Sequence, residues 1–248
     1  MHCHLDFAPD PAAAALACRA AGVTALSCTV DPRDYEAARA ALAAPDLAQG
    51  NRVRVAAGLH PWWVADGSCG AAEVALACEL AREERFVGEV GLDFAPRREG
   101  TFDAQLAAFD RVCAAVAAGE DGKLLSIHAV RSAHAVLDVL ERRGLLGSAH
   151  CVLHWFSGSG DELVRAVRAG CWFSVGTRML ATKRGRAYAR QVPTDRLLLE
   201  TDLPNDRGDR AGADAWLGDL AAAYDQVAQL LGQDAAEQAC ANGRALLA

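Results

Sequence analysis

Seven times along this chain a short run rich in Val, Leu and Ile is followed by an Ala-rich stretch with helical spacing. That regular alternation restricts the fold more than any other feature, because parallel strands need a long crossover between them, normally a helix. The runs are GVTALSCTV at 22–30, RVRVAAGL at 52–59, FVGEVGL at 86–92, KLLSIHA at 123–129, HCVLHW at 150–155, CWFSVG at 171–176 and RLLLET at 196–201. Helical spacing covers 11–21, 33–44, 70–84, 102–119, 131–143, 160–169, 183–191 and the tail from 214. Pro11 and Pro32 stand where helices would begin, and Gly22, Gly122 and Gly170 precede or open strands. With a truncated first strand around His2-Cys3-His4 the strand count reaches eight, which closes a (β/α)8 TIM barrel. An open doubly wound sheet is the competing architecture, but it would carry a Gly-rich phosphate loop after its first strand. His-Cys-His-Leu-Asp occupies that place instead. The expectation is a single α/β domain over residues 1–248 whose first strand is shortened, since only Met1 precedes His2.

The 248 residues, 52% of them apolar, suffice for one such barrel. No run approaches the roughly 18 apolar residues of a membrane span, and the start has no secretory pattern, so a cytoplasmic protein is expected. The nine cysteines are odd in number, scattered and never in CxxC, which points to buried, reduced thiols. A net charge of -7 argues against a broad nucleic-acid-coating surface but leaves room for a cleft that holds one strand end. The local basic groups, Arg97-Arg98 and Lys183, Arg184, Arg186 and Arg190, read first as solvated surface.

The chemistry-bearing residues stand at the ends of the apolar runs. His2 and His4, one residue apart, leave an extended strand on the same side and can grip one ion. Glu89, His128, His154 and Asp202 stand at the ends of the fourth, fifth, sixth and eighth strands. In a barrel all six reach the rim where active sites are built. Four imidazoles and two carboxylates suit two divalent ions, with Mg²⁺, Mn²⁺ or Zn²⁺ the candidates. His2, His4 and Asp202 can hold one ion and His128 and His154 the other, with Glu89 bridging. Two such ions lower the pKa of a shared water and steady charge on a phosphoryl or acyl oxygen, and Asp202 can accept that water's proton.

Other residues carry weaker signals. His60 in GLHPWW shares the rim and is a candidate for phosphate or an outer contact, and Trp155 is a second candidate for substrate. Trp62 and Trp63 read as loop packing before base stacking, and Glu200 as support for a ligand. Arg97, Arg131 and Arg178 are candidate phosphate clamps. His134, inside a helix, and His150, at a strand's start, receive no role.

These motifs together resemble the TatD family of metal-dependent hydrolases, within the amidohydrolase-like barrels. The resemblance rests on HCHLDF at 2–7, GLHP at 58–61, VGEVGLD at 87–93, SIH at 126–128, HWFSGS at 154–159 and LLLETDLP at 197–204. It implies a two-metal hydrolase of phosphodiesters, often a deoxyribonuclease trimming a 3′ end, with His2, His4, Glu89, His128, His154 and Asp202 matching the family's metal ligands. Residues 154–187 look most like the TatD-like component of Qat anti-phage defence systems. That narrower likeness implies partner subunits and a defence role. Two departures stand out: the single residue before His2, and ETDLPND, which lacks the aromatic residue that commonly follows the proline.

The expected function is thus a divalent-metal-dependent phosphodiesterase, a 3′–5′ DNA exonuclease. The alternatives are a hydrolase of an amide, lactone or aminoacyl ester with the same ions, and a non-catalytic scaffold or sensor subunit of a defence complex.

Overall fold

The computed structural model describes residues 1–42, 50–209 and 212–248. Eight strands lie in one sheet in chain order: β1 (His2–Cys3), β2 (Ala25–Cys28), β3 (Val53–Leu59), β4 (Phe86–Asp93), β5 (Leu124–Val130), β6 (His150–His154), β7 (Trp172–Val175) and β8 (Leu197–Leu199). Between and after them run α1 (Pro11–Ala20), α2 (Tyr35–Leu42), α3 (Pro61–Ala65), α4 (Ala71–Glu83), α5 (Phe102–Ala117), α6 (Ala133–Arg142), α7 (Gly160–Arg168), α8 (Thr177–Leu180), α9 (Lys183–Ala189), α10 (Ala213–Leu231) and α11 (Gln233–Leu246). This is the strand order of a (β/α)8 barrel, with a first strand of two residues. Residues 43 and 44 of the second expected helix lie outside the described residues.

Three helical features depart from the periodicity. The tail from 214 is two helices, broken at Gly232, whose φ of 100° a residue with a side chain rarely adopts. The five-residue α3 and four-residue α8 are too short to leave a periodic signal.

The described residues form two compact units. One comprises Met1–Cys28, Glu36–Val55 and Phe173–Ala248; the other comprises Thr29–Tyr35 and Ala56–Trp172.

In the first unit, β1 pairs with β2 in the register His2↔Leu26 and Cys3↔Ser27. On its other side the Met1 ammonium donates to Leu199 O, and His2 O accepts the amides of Thr201 and Asp202 at 3.2 and 3.3 Å. Two residues of strand are thus fixed from both edges, and His2 is 1% exposed. Cys3 points into an apolar cluster with Ala14, Cys18, Leu42, Val53 and Trp216, where it packs rather than ligates. Asp10 caps α1 by accepting the Ala13 amide at 2.9 Å, with Pro11 in the first turn.

In the second unit, β4 pairs with β5, which sets Gly91 beside His128 and Asp93 beside Val130, and β5 pairs with β6. Leu125 and Ile127 are fully buried, and each contributes roughly 1.5–3 kcal/mol by leaving water. His128 falls on the opposite face of β5 by strand alternation. Ser159 opens α7 with a capping box: its hydroxyl accepts the Glu162 amide at 3.2 Å, and Glu162 Oε2 accepts the Ser159 amide at 2.6 Å. The cap ends the loop after His154 within five residues.

None of the nine cysteines forms a disulfide among the described residues, and burial pushes the Cys18 thiol up to about 11 and that of Cys69 to about 12. Among the described residues, no helix is long and apolar enough to cross a membrane.

Candidate metal centre

In the first unit the two histidines of β1 and Asp202, just past β8, converge. His2 Nε2 and His4 Nε2 are 3.2 Å apart, and they lie 3.3 and 3.4 Å from Asp202 Oδ1. His4 Nδ1 donates to Cys28 O at 2.7 Å. A carbonyl only accepts, so Nδ1 carries the proton and the neutral ring leaves its lone pair on Nε2. Phe7 stacks on the His4 ring at 5.4 Å, and the Arg207 guanidinium lies 4.9 Å over Phe7. Asp202 has a positive φ of 58°, and its Oδ2 is 3.9 Å from Arg178 Nη1. Arg178 also donates to Asn205 Oδ1.

Ligands held about 2.1 Å from a tetrahedral ion stand about 3.4 Å from one another. The three separations in this group match that edge length. Two ring nitrogens and a carboxylate are also the donor set that a borderline divalent ion accepts. The residues fit a metal.

In the second unit one oxygen gathers three imidazoles. Glu89 Oε1 lies 2.8 Å from His128 Nδ1, 2.8 Å from His154 Nε2 and 3.2 Å from His60 Nε2. Glu89 is 2% exposed, and its amide donates to Thr29 O at 2.8 Å. Buried His128 Nε2 makes no hydrogen bond among the described residues, and Asp93 Oδ2 stands 3.8 Å away. A buried ring nitrogen without a hydrogen bond is a further mark of a ligand position. Burial alone would lower the His128 pKa, but Asp93 and then Glu89 outweigh it and raise it to about 9.

His60 caps α3, its Nδ1 accepting the Trp62 amide at 3.1 Å. The neutral ring therefore holds its proton on Nε2 and donates toward Glu89. The ligand-type atoms of His60, Glu89 and His128 lie within 4.8 Å of one another. The GLHP motif thus sets a hydrogen-bond donor against Glu89.

A family model described as TatD related DNase matches residues 1–245. The chain belongs to the TatD related DNase family. The TatD "3'-5' ssDNA/RNA exonuclease" of Dickeya dadantii (strain 3937) is 36% identical over 159 residues, 60% of this chain and 56% of that one. The deoxyribonuclease TATDN3 of Homo sapiens is 27% identical over 119 residues, 48% of this chain and 42% of that one. The chain thus spans about half the length of the curated relatives it matches. Among solved structures, the TatD homologue YjjV of Escherichia coli K12 superposes with a TM-score of 0.69 at 22% identity, covering 98% of this chain and 94% of the other. A TatD family hydrolase of Entamoeba histolytica gives 0.74 at 14% identity, covering 94% and 87%. These two likenesses concern the fold, and they agree with the eight-stranded order.

One buried acid of the second unit, the last residue of β4, was not among the candidates read from the sequence. Asp93, fully buried, accepts Trp62 Nε1 at 2.5 Å and the Ala95 amide at 2.8 Å, and faces Arg98 Nε at 3.3 Å. Desolvation opposes its charge, yet His128, the Ala95 amide and Trp62 hold its carboxyl well below the usual range. A signal was present: Asp93 lies four residues past Glu89 and so on the same strand face. Of the candidate clamps, Arg178 meets Asp202, Arg97 lies over Trp62, and Arg131 is exposed with a φ of 53°. Trp155, half-buried, follows His154 with a φ of 39°. Glu200 is buried and accepts the Ser174 hydroxyl. His134 pairs with Asp138 on the α6 surface, and the His150 ring lies 6.1 Å from that of Trp172.

Proposed function

We propose that this TatD-family chain is a divalent-metal-dependent phosphodiesterase, a 3′–5′ exonuclease on the end of a single DNA strand, with residues 1–248 as one catalytic domain in the cytoplasm. One observation carries the reading: His2, His4 and Asp202 present their donor atoms 3.2–3.4 Å apart, the spacing of ligands around one small ion. The activity described for the Dickeya relative agrees with it. We assign one ion to His2, His4 and Asp202 and a second to His128, His154 and Glu89, with Mg²⁺, Mn²⁺ or Zn²⁺ as the candidates.

When bound, such ions supply an acidified water and positive charge for a phosphoryl oxygen. The chain's own groups prepare that chemistry. The Cys28 carbonyl holds His4 in one tautomer, so its Nε2 lone pair is kept for ligation. His60 donates to Glu89 and fixes the carboxylate without competing for an ion. We assign proton acceptance from the attacking water to Asp202, whose Oδ1 faces the two histidines and whose Oδ2 lies 3.9 Å from Arg178 Nη1.

The test is an end-labelled single-stranded DNA incubated with chelator-treated protein and each ion in turn. The expected result is stepwise shortening from the 3′ end that His128→Ala and Glu89→Ala abolish. No shortening with any ion, or shortening that survives both substitutions, overturns the proposal.

The likeness of residues 154–187 to the Qat component supports a finer reading, that the chain acts with other subunits in anti-phage defence. Co-expression with the neighbouring subunits of such a system tests it. Phage protection should disappear with Glu89→Ala, and full protection in that variant would argue instead for a scaffold.

A further inference from the structure

We propose that Arg97 and Arg98, stacked on Trp62 and anchored by Asp93, form a phosphate subsite that holds the nucleic-acid strand beside the Glu89 group. The inference rests on the proposed action on a nucleic acid, and it adds the residues that grip the chain away from the reacting phosphate.

Three observations converge, all within the second unit. First, the two guanidiniums share the same two neighbours, Trp62 and Asp93. Arg98 lies 4.7 Å over the Trp62 ring with Nε 3.3 Å from Asp93 Oδ2, and Arg97 lies 5.4 Å over the same ring with Nη2 3.7 Å from the same oxygen. An arginine held against an aromatic ring and a carboxylate loses less side-chain freedom when it binds an anion.

Second, the charges do not balance. One buried carboxylate faces two guanidiniums and already accepts the Trp62 indole and the Ala95 amide. Arg98 is the internal half of the pair, its side chain 17% exposed, whereas that of Arg97 is 65% exposed and presents its donors to solvent. A planar fork of N–H donors on a stiff base is the group that grips a phosphate through two parallel hydrogen bonds.

Third, location separates this pair from the others. Asp110 also faces two arginines, Arg142 and Arg143, but that cluster joins the end of α6 to α5. The Trp62 ring instead lies 4.9 Å from the His60 ring and 6.0 Å from the His128 ring. A phosphate on Arg97 is therefore a near neighbour of the Glu89 group. The same packing agrees with the reading of Trp62 as loop packing before base stacking: its indole N–H donates to Asp93 and two arginines lie over its ring.

Direct binding tests the subsite apart from catalysis. Chelator-treated full-length protein is titrated into a fluorescent single-stranded oligodeoxynucleotide, and anisotropy is followed at several salt concentrations. Arg97→Gln should weaken binding about three- to tenfold at low salt and reduce the slope of log affinity against log salt by roughly 0.7, the loss of one phosphate contact on a single strand. Arg97→Lys should restore part of the slope. Arg142→Gln changes the net charge equally on α6 and should leave both quantities unchanged. The subsite is overturned if the oligonucleotide does not bind the wild type, if Arg97→Gln binds as the wild type does, or if Arg142→Gln falls equally. Arg97-dependent binding without cleavage under any ion would uphold the subsite and sink the exonuclease. Cleavage by the wild type with unchanged Arg97→Gln binding would do the reverse.

Discussion

Glu89 Oε1 and His128 Nδ1 stand 2.8 Å apart, both buried, and the same oxygen is shared with His154 and His60. A buried carboxylate with this company is stable only because the rings compensate its lost hydration. The Glu89→Gln substitution keeps the volume but removes the charge. Its expected effect is a fall in divalent-ion affinity of more than about 100-fold, beyond that seen for outer partners of a metal site. Isothermal titration of the folded variant measures it, and an affinity equal to the wild type's would remove Glu89 from the ligand set.

His4 and Asp202 make a separate claim on an ion, because their donor atoms meet at ligand spacing with His2. Elemental analysis after dialysis should find two equivalents of metal per wild-type chain and one in His4→Ala. A count of two in that variant would show that His2, His4 and Asp202 do not form an ion site.

Much of this was legible before any coordinates, for a physical reason. Strand alternation and helical periodicity reflect which side chains must leave water, so the eight-strand order could be read by counting runs. The same count proposes Glu89, His128, His154 and Asp202 as rim residues; Glu89 falls inside β4, whose last residue is Asp93. Asp93 and His60 were harder. Their roles depend on what faces them across strands and loops: Trp62 and Arg98 for Asp93, Glu89 for His60. Short α3 and α8 left no period to read, and the Gly232 break was hidden inside an Ala- and Leu-rich tail.

Gly58, in the GLHP motif, is required by a backbone contact. A Cβ built there would fall 1.7 Å from Thr29 O, and backbone at that contact cannot swing aside as a long side chain would. Gly58 also donates its amide to Thr29 Oγ1 at 2.9 Å. The Gly58→Ala variant should lose about 3 kcal/mol or more, at the severe end of overpacking. Urea denaturation of the chelated protein measures this, and a change below about 1 kcal/mol would mean that the two segments separate freely.

The raised pKa of His128 gives the metal-free protein a pH signature. Burial disfavours its imidazolium, but Asp93 and then Glu89 lift the value from 6.5 to about 9. A group raised on folding stabilises the native state fully below its unfolded pKa, and that contribution is lost as pH climbs through the folded one. Between pH 6.5 and 9, stability should therefore fall more in the wild type than in His128→Gln, with a ceiling on the order of 3 kcal/mol at about 1.4 kcal/mol per unit. Taking the difference between the two proteins cancels the thiols, which titrate in the same range. Because the proton and an ion compete for this ring, metal affinity in the wild type should rise over the same interval. Parallel pH–stability curves for wild type and His128→Gln would show that the imidazolium is not held by Asp93 and Glu89 as the geometry implies.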